Sequence, residues 1–214
     1  MPTIDRPLRK DAERNRRRIL DAAREVFAEH GLDAGLDQIA RHAGLGVGTV
    51  YRRFPDKEGL IDALFEERIA AVAALAEQAA AHEDPWQGLV LFFERCLAEQ
   101  AADRGFKQLL LGGTHGRDRV AEGRARIAPP LRTLVARAQA AGVLRDDVTA
   151  PDLPMIQLML AGVMDASRGV DPDLWHRYLE LFLDGLRPGR APLRTAPLGD
   201  DEVGAVLAAW RPCR

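Results

Sequence analysis

A chain of 214 residues, 47% of them hydrophobic and with a formal net charge of −2, can bury a substantial core and fits one domain or a small domain joined to a larger one. No apolar run approaches the roughly 20 residues of a membrane span, and the start, MPTIDRPLRKD, lacks a signal-peptide core, so no membrane partner is expected and cytoplasm is the default. Cys96 and Cys213 stand far apart with no Cys/His cluster, which argues against a disulfide framework or a structural zinc site.

Residues 1–60 carry 12 Lys/Arg against 10 Asp/Glu, net +2, and residues 61–214 carry 18 against 22, net −4. Within the first part, Arg6, Arg9, Lys10, Arg14, Arg16, Arg17 and Arg18 crowd together, and residues 1–15 read as a basic arm able to track phosphates or simply be solvated. Residues 12–30 then predict a helix whose apolar face is Ile19, Leu20, Ala23, Val26 and Phe27, stopped by Gly31. A short helix is expected over 36–43, ended by Gly44, and another from about 47 to Phe54, closed by Pro55. Asp56 is placed to cap a long helix carrying Leu60, Ile61, Leu64, Phe65, Ile69 and Val72. Downstream, Asp84-Pro85 and Asp171-Pro172 have the form of helix starts. Further helices are expected at about 104–112, 118–127, 129–141 and 152–168. Nothing alternates at period two, so no strands are expected and the fold class is all-α. Residues 188–198 read as an extended tail, and DDEVGAVLAAW as a possible last helix.

The stretch GLGVGTVYRRF, residues 44–54, carries the first functional signal. Its glycines follow a helix, and no Lys-Ser/Thr comes after them, so a phosphate-binding loop is disfavoured. Gly44 instead suits a left-handed helix stop and Gly46 a tolerated N-cap, which makes a helix-turn-helix. At about 100° per residue, Val47, Val50 and Phe54 share one face, while Gly48, Thr49, Arg52 and Arg53 share the other and Tyr51 lies at the border. A merely solvated face would favour Glu and Lys. Here glycine permits close approach to a groove, threonine can bond phosphate or touch a thymine methyl, and arginine can bind guanine through two bonds.

Residues 16–65, RRRILDAAREVFAEHGLDAGLDQIARHAGLGVGTVYRRFPDKEGLIDALF, resemble the DNA-binding domain of the TetR family of transcriptional regulators. The resemblance rests on Ala-x-x-x-Phe with His-Gly, Ile-Ala-x-x-Ala-Gly, Gly-Thr-Val-Tyr-x-x-Phe, and Asp-Lys-Glu, over about fifty ungapped residues. It implies a helix-turn-helix domain over 16–60 with its motif at 36–54, a helical ligand-binding and dimerisation domain over 61–187, and a tail over 188–214. It further implies that the third helix enters the major groove, that Thr49 and Tyr51 contact DNA, and that Lys57 binds phosphate. Gly48, Arg52 and Arg53 join these, with Arg16 and Arg17, just past the arm, as further contacts. Gly46 and Gly35 depart from the family, which commonly places Ser or Thr there, and Val47 stands where Lys or Arg is frequent.

For the second domain the resemblance implies a homodimer, a small-molecule pocket, and repression of a double-stranded DNA operator relieved by ligand. Candidates for the dimer face are Leu153, Ile156, Leu160 and Val163, then Trp175, Tyr178, Leu179 and Phe182. Candidates for the pocket are Phe65, Ile69, Phe92, Phe93, Cys96, Phe106, Leu110, Met155 and Met159, with Gln108 or His115 as polar anchors. Each of these also suits plain core. A regulator without a ligand, or an activator, remains open. No H-E-x-x-H or G-x-S-x-G occurs, so no enzyme, catalytic residue or cofactor is expected. His115, Asp118 and Glu122 share a helical spacing, but the arginines around them suggest a polar surface rather than a metal site.

Overall fold

A computed structural model describes residues 5–102 and 116–209. All regular structure among them is α-helical: α1 (Asp5–His30), α2 (Leu36–His42), α3 (Val47–Arg53), α4 (Lys57–Ala81), α5 (Pro85–Ala102), α6 (Gly116–Ala140), α7 (Asp152–Ser167), α8 (Leu174–Gly185) and α9 (Asp200–Ala209). The helix expected at 104–112 and Cys213 lie outside the described residues.

The described helices divide into two units, with the boundary on α4 between Arg68 and Ile69 rather than at the expected 60/61. In the first unit, Ile19, Leu20, Val26 and Phe27 of α1 meet Leu36 and Ile39 of α2, Val50 of α3, and Leu60 and Leu64 of α4. The turn between α2 and α3 needs Gly44, whose φ of +62° is left-handed. Arg18 of α1 reaches this turn and donates to the Ala43 carbonyl at 2.7 Å, satisfying a group that the end of α2 leaves open.

Cap chemistry explains two helix starts. Asp56 accepts from the Gly59 amide at 2.7 Å, and Asp84 accepts from the Trp86 amide at 2.8 Å. Asp171 behaves differently. Its carboxylate accepts from the Asp173 amide at 3.0 Å, so α8 starts only at Leu174.

The second unit is centred on α5, whose Leu89, Phe92, Phe93 and Leu97 are buried with Leu134 of α6 and Leu153 and Leu160 of α7. Gly88 lets α5 approach the end of α4, because a Cβ there would lie 2.4 Å from the Ala79 carbonyl oxygen. Two expectations are corrected here. The helices expected at 118–127 and 129–141 are one helix, α6, running through Pro129 and Pro130. Those prolines deprive the Ala125 and Arg126 carbonyls of helical partners, but both residues are exposed, so water can replace the bonds while Leu131, Leu134, Val135 and Ala138 stay buried. Likewise α1 starts at Asp5, not at about 12, so residues 5–15 of the basic segment share its helix.

The tail over 188–199 is irregular but held in place. The Arg145 guanidinium donates to the Ala191 carbonyl at 2.7 Å, and Asp147 accepts from the Leu193 amide at 2.8 Å. Arg145 and that amide together hold the Asp147 carboxyl well below the usual carboxylate range.

Candidate nucleic-acid interface

Helix α3 has the two faces expected of it, with one change. Val50 is fully buried and Phe54 nearly so, while Gly48, Tyr51, Arg52 and Arg53 are exposed and Thr49 is half-buried. Val47, expected on the core face, is 41% exposed. It is the first residue of a seven-residue helix, and Val50 and Phe54 already fill the contact. Neither Gly35 nor Gly46 offers a side-chain cap to the helix it precedes.

The exposed groups differ in what already holds them. Arg52 Nε donates to the Gly48 carbonyl at 3.1 Å, which leans the side chain along its helix and directs no other nitrogen to a described partner. Arg53, Arg17 and Tyr51 have no hydrogen bond or ion pair among the described residues. Arg16 and Lys57 do. Arg16 Nη1 pairs with Glu67 Oε1 at 2.6 Å, and Arg24 Nη2 takes Glu67 Oε2 at 2.6 Å. Lys57 is half-buried and its Nζ donates to the Leu32 carbonyl. Arg16 and Lys57, both expected at phosphate, thus also join α1, α4 and the turn before α2. Glu67 and Arg18 went unrecognised as organising residues, since pairing across 25 to 51 residues leaves no local signal.

The pocket candidates scatter. Phe92 and Phe93 are fully buried, edge to face with ring centroids 6.0 Å apart, and Cys96 is buried in the same cluster. Ile69 and Phe65 are buried, Met155 is half-buried, and Met159 is 50% exposed. Phe106, Gln108, Leu110 and His115 lie outside the described residues, which leaves the His115 metal set undescribed as well. Among the described residues no group of three or more His, Cys, Asp or Glu is placed to hold a metal, and no helix is long and apolar enough to cross a membrane.

Of the residues expected at a dimer face, Leu153, Ile156, Leu160, Trp175 and Leu179 are buried in the chain's own core, none more than 6% exposed. Val163 and Phe182 are half-buried, and only Tyr178 is open, at 39%. The exposed apolar surface lies one register away. On α7 it runs through Met155, Met159, Gly162 and Ala166, and on α8 through Tyr178 and Leu181, the latter 57% exposed. A helix apolar on all sides, as α7 is, was the available signal.

Comparison with known proteins agrees with this architecture. Residues 19–64 match the family model described as bacterial regulatory proteins, tetR family, and residues 84–188 match that of the transcriptional regulator SbtR-like C-terminal domain. An HTH-type transcriptional regulator of Staphylococcus aureus (strain USA300) is 44% identical over 54 residues, 25% of this chain. The chain thus spans only 29% of the length of the curated relatives it matches. The crystal structure of the TetR transcription regulatory protein from Mycobacterium vanbaalenii is 35% identical with a TM-score of 0.65, covering 85% of this chain and 99% of that one. The transcriptional regulator FadR from Bacillus subtilis, solved in complex with stearoyl-CoA, shares the fold at 18% identity and a TM-score of 0.66, covering 81% of this chain and 98% of that one.

Proposed function

This chain belongs to the TetR family of bacterial transcriptional regulators, and from that premise we propose that it is a homodimeric repressor whose α3 reads an operator half-site and whose grip is released by a small, largely apolar ligand. The observation that carries the reading is the α3 surface. Gly48, Tyr51, Arg52 and Arg53 form an exposed face above a sealed core, so arginines can enter a major groove without disturbing the fold. Arg17, exposed on α1, supplies a further cation for backbone phosphate.

One seven-residue helix reads too few bases to be specific. Two, set one or more DNA turns apart by a two-fold axis, read a palindrome. The open apolar stripes on α7 and α8 are the surfaces we assign to that axis. Ligand would act by favouring a dimer conformer in which α4 has moved and the half-site spacing no longer fits. A 100-fold preference for that conformer supplies about 2.7 kcal/mol. The FadR structure with stearoyl-CoA supports this fold as a host for such ligands. The complete burial of Phe92 and Phe93 favours a second reading, a regulator that takes no effector.

The test is fluorescence anisotropy on duplexes from the DNA flanking the chain's own gene, beside random duplexes of equal length. Preferential binding by at least 100-fold at physiological salt is expected; equal affinity for both would defeat the repressor reading. Native mass spectrometry of the purified protein decides between the two readings of the second unit. Bound mass lost on operator binding supports an effector, and no bound mass in any preparation supports the second reading.

A further inference from the structure

We propose that the C-terminal strap and α9 form a latch that keeps α6 seated on α4 and so holds the protein in its operator-binding state; the inference rests on the regulator reading above. The matched C-terminal family model ends at residue 188, so the latch lies beyond the part of the chain that model describes.

The latch is built at three points. At its root, the Arg187 guanidinium lies 3.4 Å over the Trp86 ring. Along the strap, Arg145 and Asp147, themselves an ion pair, take the Ala191 carbonyl and the Leu193 amide. At its head, Glu202 accepts from the Gly199 amide at 2.7 Å, one half of a capping box that starts α9. Val203 of α9 is fully buried, and α9 packs on α6 and α7. Asp200 reaches two residues of α6, Arg124 at 3.6 Å and Arg132, about two turns further along.

The grip falls where α6 meets α4. Gly123 is buried, and a Cβ there would lie 2.6 Å from Ile69 Cδ1, so α6 seats the 6%-exposed Ile69 side chain against bare backbone. The next residue, Arg124, is held by α9 and crosses Gly204 so closely that a Cβ at 204 would lie 2.5 Å from its Nη1. One turn of α6 is thus grasped by α9 through Arg124 and receives α4 through Gly123. Two residues before Ile69 on α4 stands Glu67, bound by Arg16 and Arg24 of α1.

With the latch in place, α9 is tied both to α6, through Asp200, and to α7 and the anchored strap, so α6 leaves Ile69 only by parting from α9 or by drawing α9 off α7 and the strap. Without it, α4 samples more positions and the operator-competent fraction falls. Apparent Kd rises by the reciprocal of that fraction.

A full-length variant and a truncated chain test this. Asp200→Arg sets a third cation against Arg124 and Arg132, and a chain ending after Arg187 keeps the root on Trp86 but removes the strap and α9. Hydrogen–deuterium exchange and anisotropy on the promoter duplex are read together. Both variants are expected to exchange faster around Gly123 and along α4, and to bind operator at least threefold more weakly. Reversing the pair, by adding Arg124→Glu and Arg132→Glu to Asp200→Arg, is expected to restore both readouts. Faster exchange in α9 with unchanged α6 exchange and unchanged operator affinity would overturn the latch. If the truncated chain does not fold, Asp200→Arg decides; if Asp200→Arg leaves α9 protected, the truncation decides. Should the wild type show no promoter preference, the regulator reading falls, while exchange around Gly123 still decides whether α9 holds α6 on α4.

Discussion

Arg53 and Arg17 carry the same charge as Arg16 and Lys57, yet only the latter two are committed within the protein, to Glu67 and to the Leu32 carbonyl. The division predicts different phenotypes. Arg53→Ala is expected to cost about 1–3 kcal/mol of discrimination at one base pair and to leave thermal stability unchanged. Anisotropy on single-base operator variants checks this; a loss spread evenly over all sequences would remove Arg53 from base reading. Glu67→Ala frees two guanidinium groups in partly buried positions and is expected to destabilise the fold by about 1 kcal/mol, seen as a fall in Tm. An unchanged Tm would mean that the bridge contributes nothing. Composition marks the whole basic segment alike, and the motif points to Tyr51, Arg52 and Arg53. What it does not reveal is that Arg16 and Arg17, adjacent in sequence, point about 100° apart on their helix, one toward Glu67 and one to solvent.

At the scale of elements, legibility followed local chemistry. The helices from α1 to α4 were readable because apolar spacing, Gly44 and the Asp56 cap all act within a few residues. The Asp84 cap opening α5 was readable for the same reason. The continuity of α6 through Pro129 and Pro130 was not, because it depends on where the helix faces: solvent at Ala125 and Arg126, core at Leu131 and Leu134. Close approach between elements is equally hidden, and glycine shows it. Gly88→Ala would drive a methyl to 2.4 Å from the Ala79 carbonyl oxygen and 3.1 Å from Leu134 Cδ1. Backbone does not yield as a side-chain tip does, so a loss of about 1–3 kcal/mol is expected. Gly48→Ala, with nothing within 4 Å of the new methyl, is expected to stabilise α3 by about 0.5–1 kcal/mol. Thermal unfolding followed by circular dichroism compares the two directly, and opposite signs are required. Equal effects would mean that α5 does not pass the end of α4 as closely as Gly88 implies.

For the whole molecule, the decisive quantity is which face of α7 and α8 is left over once the protomer has folded. Apolar spacing selected Leu153, Ile156 and Leu160 on α7, where a helix apolar nearly all round gives the period no phase, and Trp175 and Leu179 on α8, whose single apolar face is the one the core takes. Folding supplies the phase by consuming those residues, and Met159, Tyr178 and Leu181 remain at 50%, 39% and 57% exposure. A two-fold axis uses the same patch on both copies, so a single substitution there enters the interface twice. Leu181→Glu would bring two like charges into an apolar contact while disturbing no residue of the protomer core, since the side chain is already open to water. A dimer dissociation constant raised at least tenfold, equivalent to about 1.4 kcal/mol, is expected with an unchanged helical spectrum. Analytical ultracentrifugation across a dilution series measures it. In the proposed dimer each α3 would hold one half-site, so operator binding by Leu181→Glu should weaken in step and become steeper in protein concentration. A variant that stays dimeric at the lowest concentration would place the axis elsewhere. One that becomes monomeric yet binds operator as tightly as wild type would separate recognition from dimerisation, and the two half-sites would then be read independently.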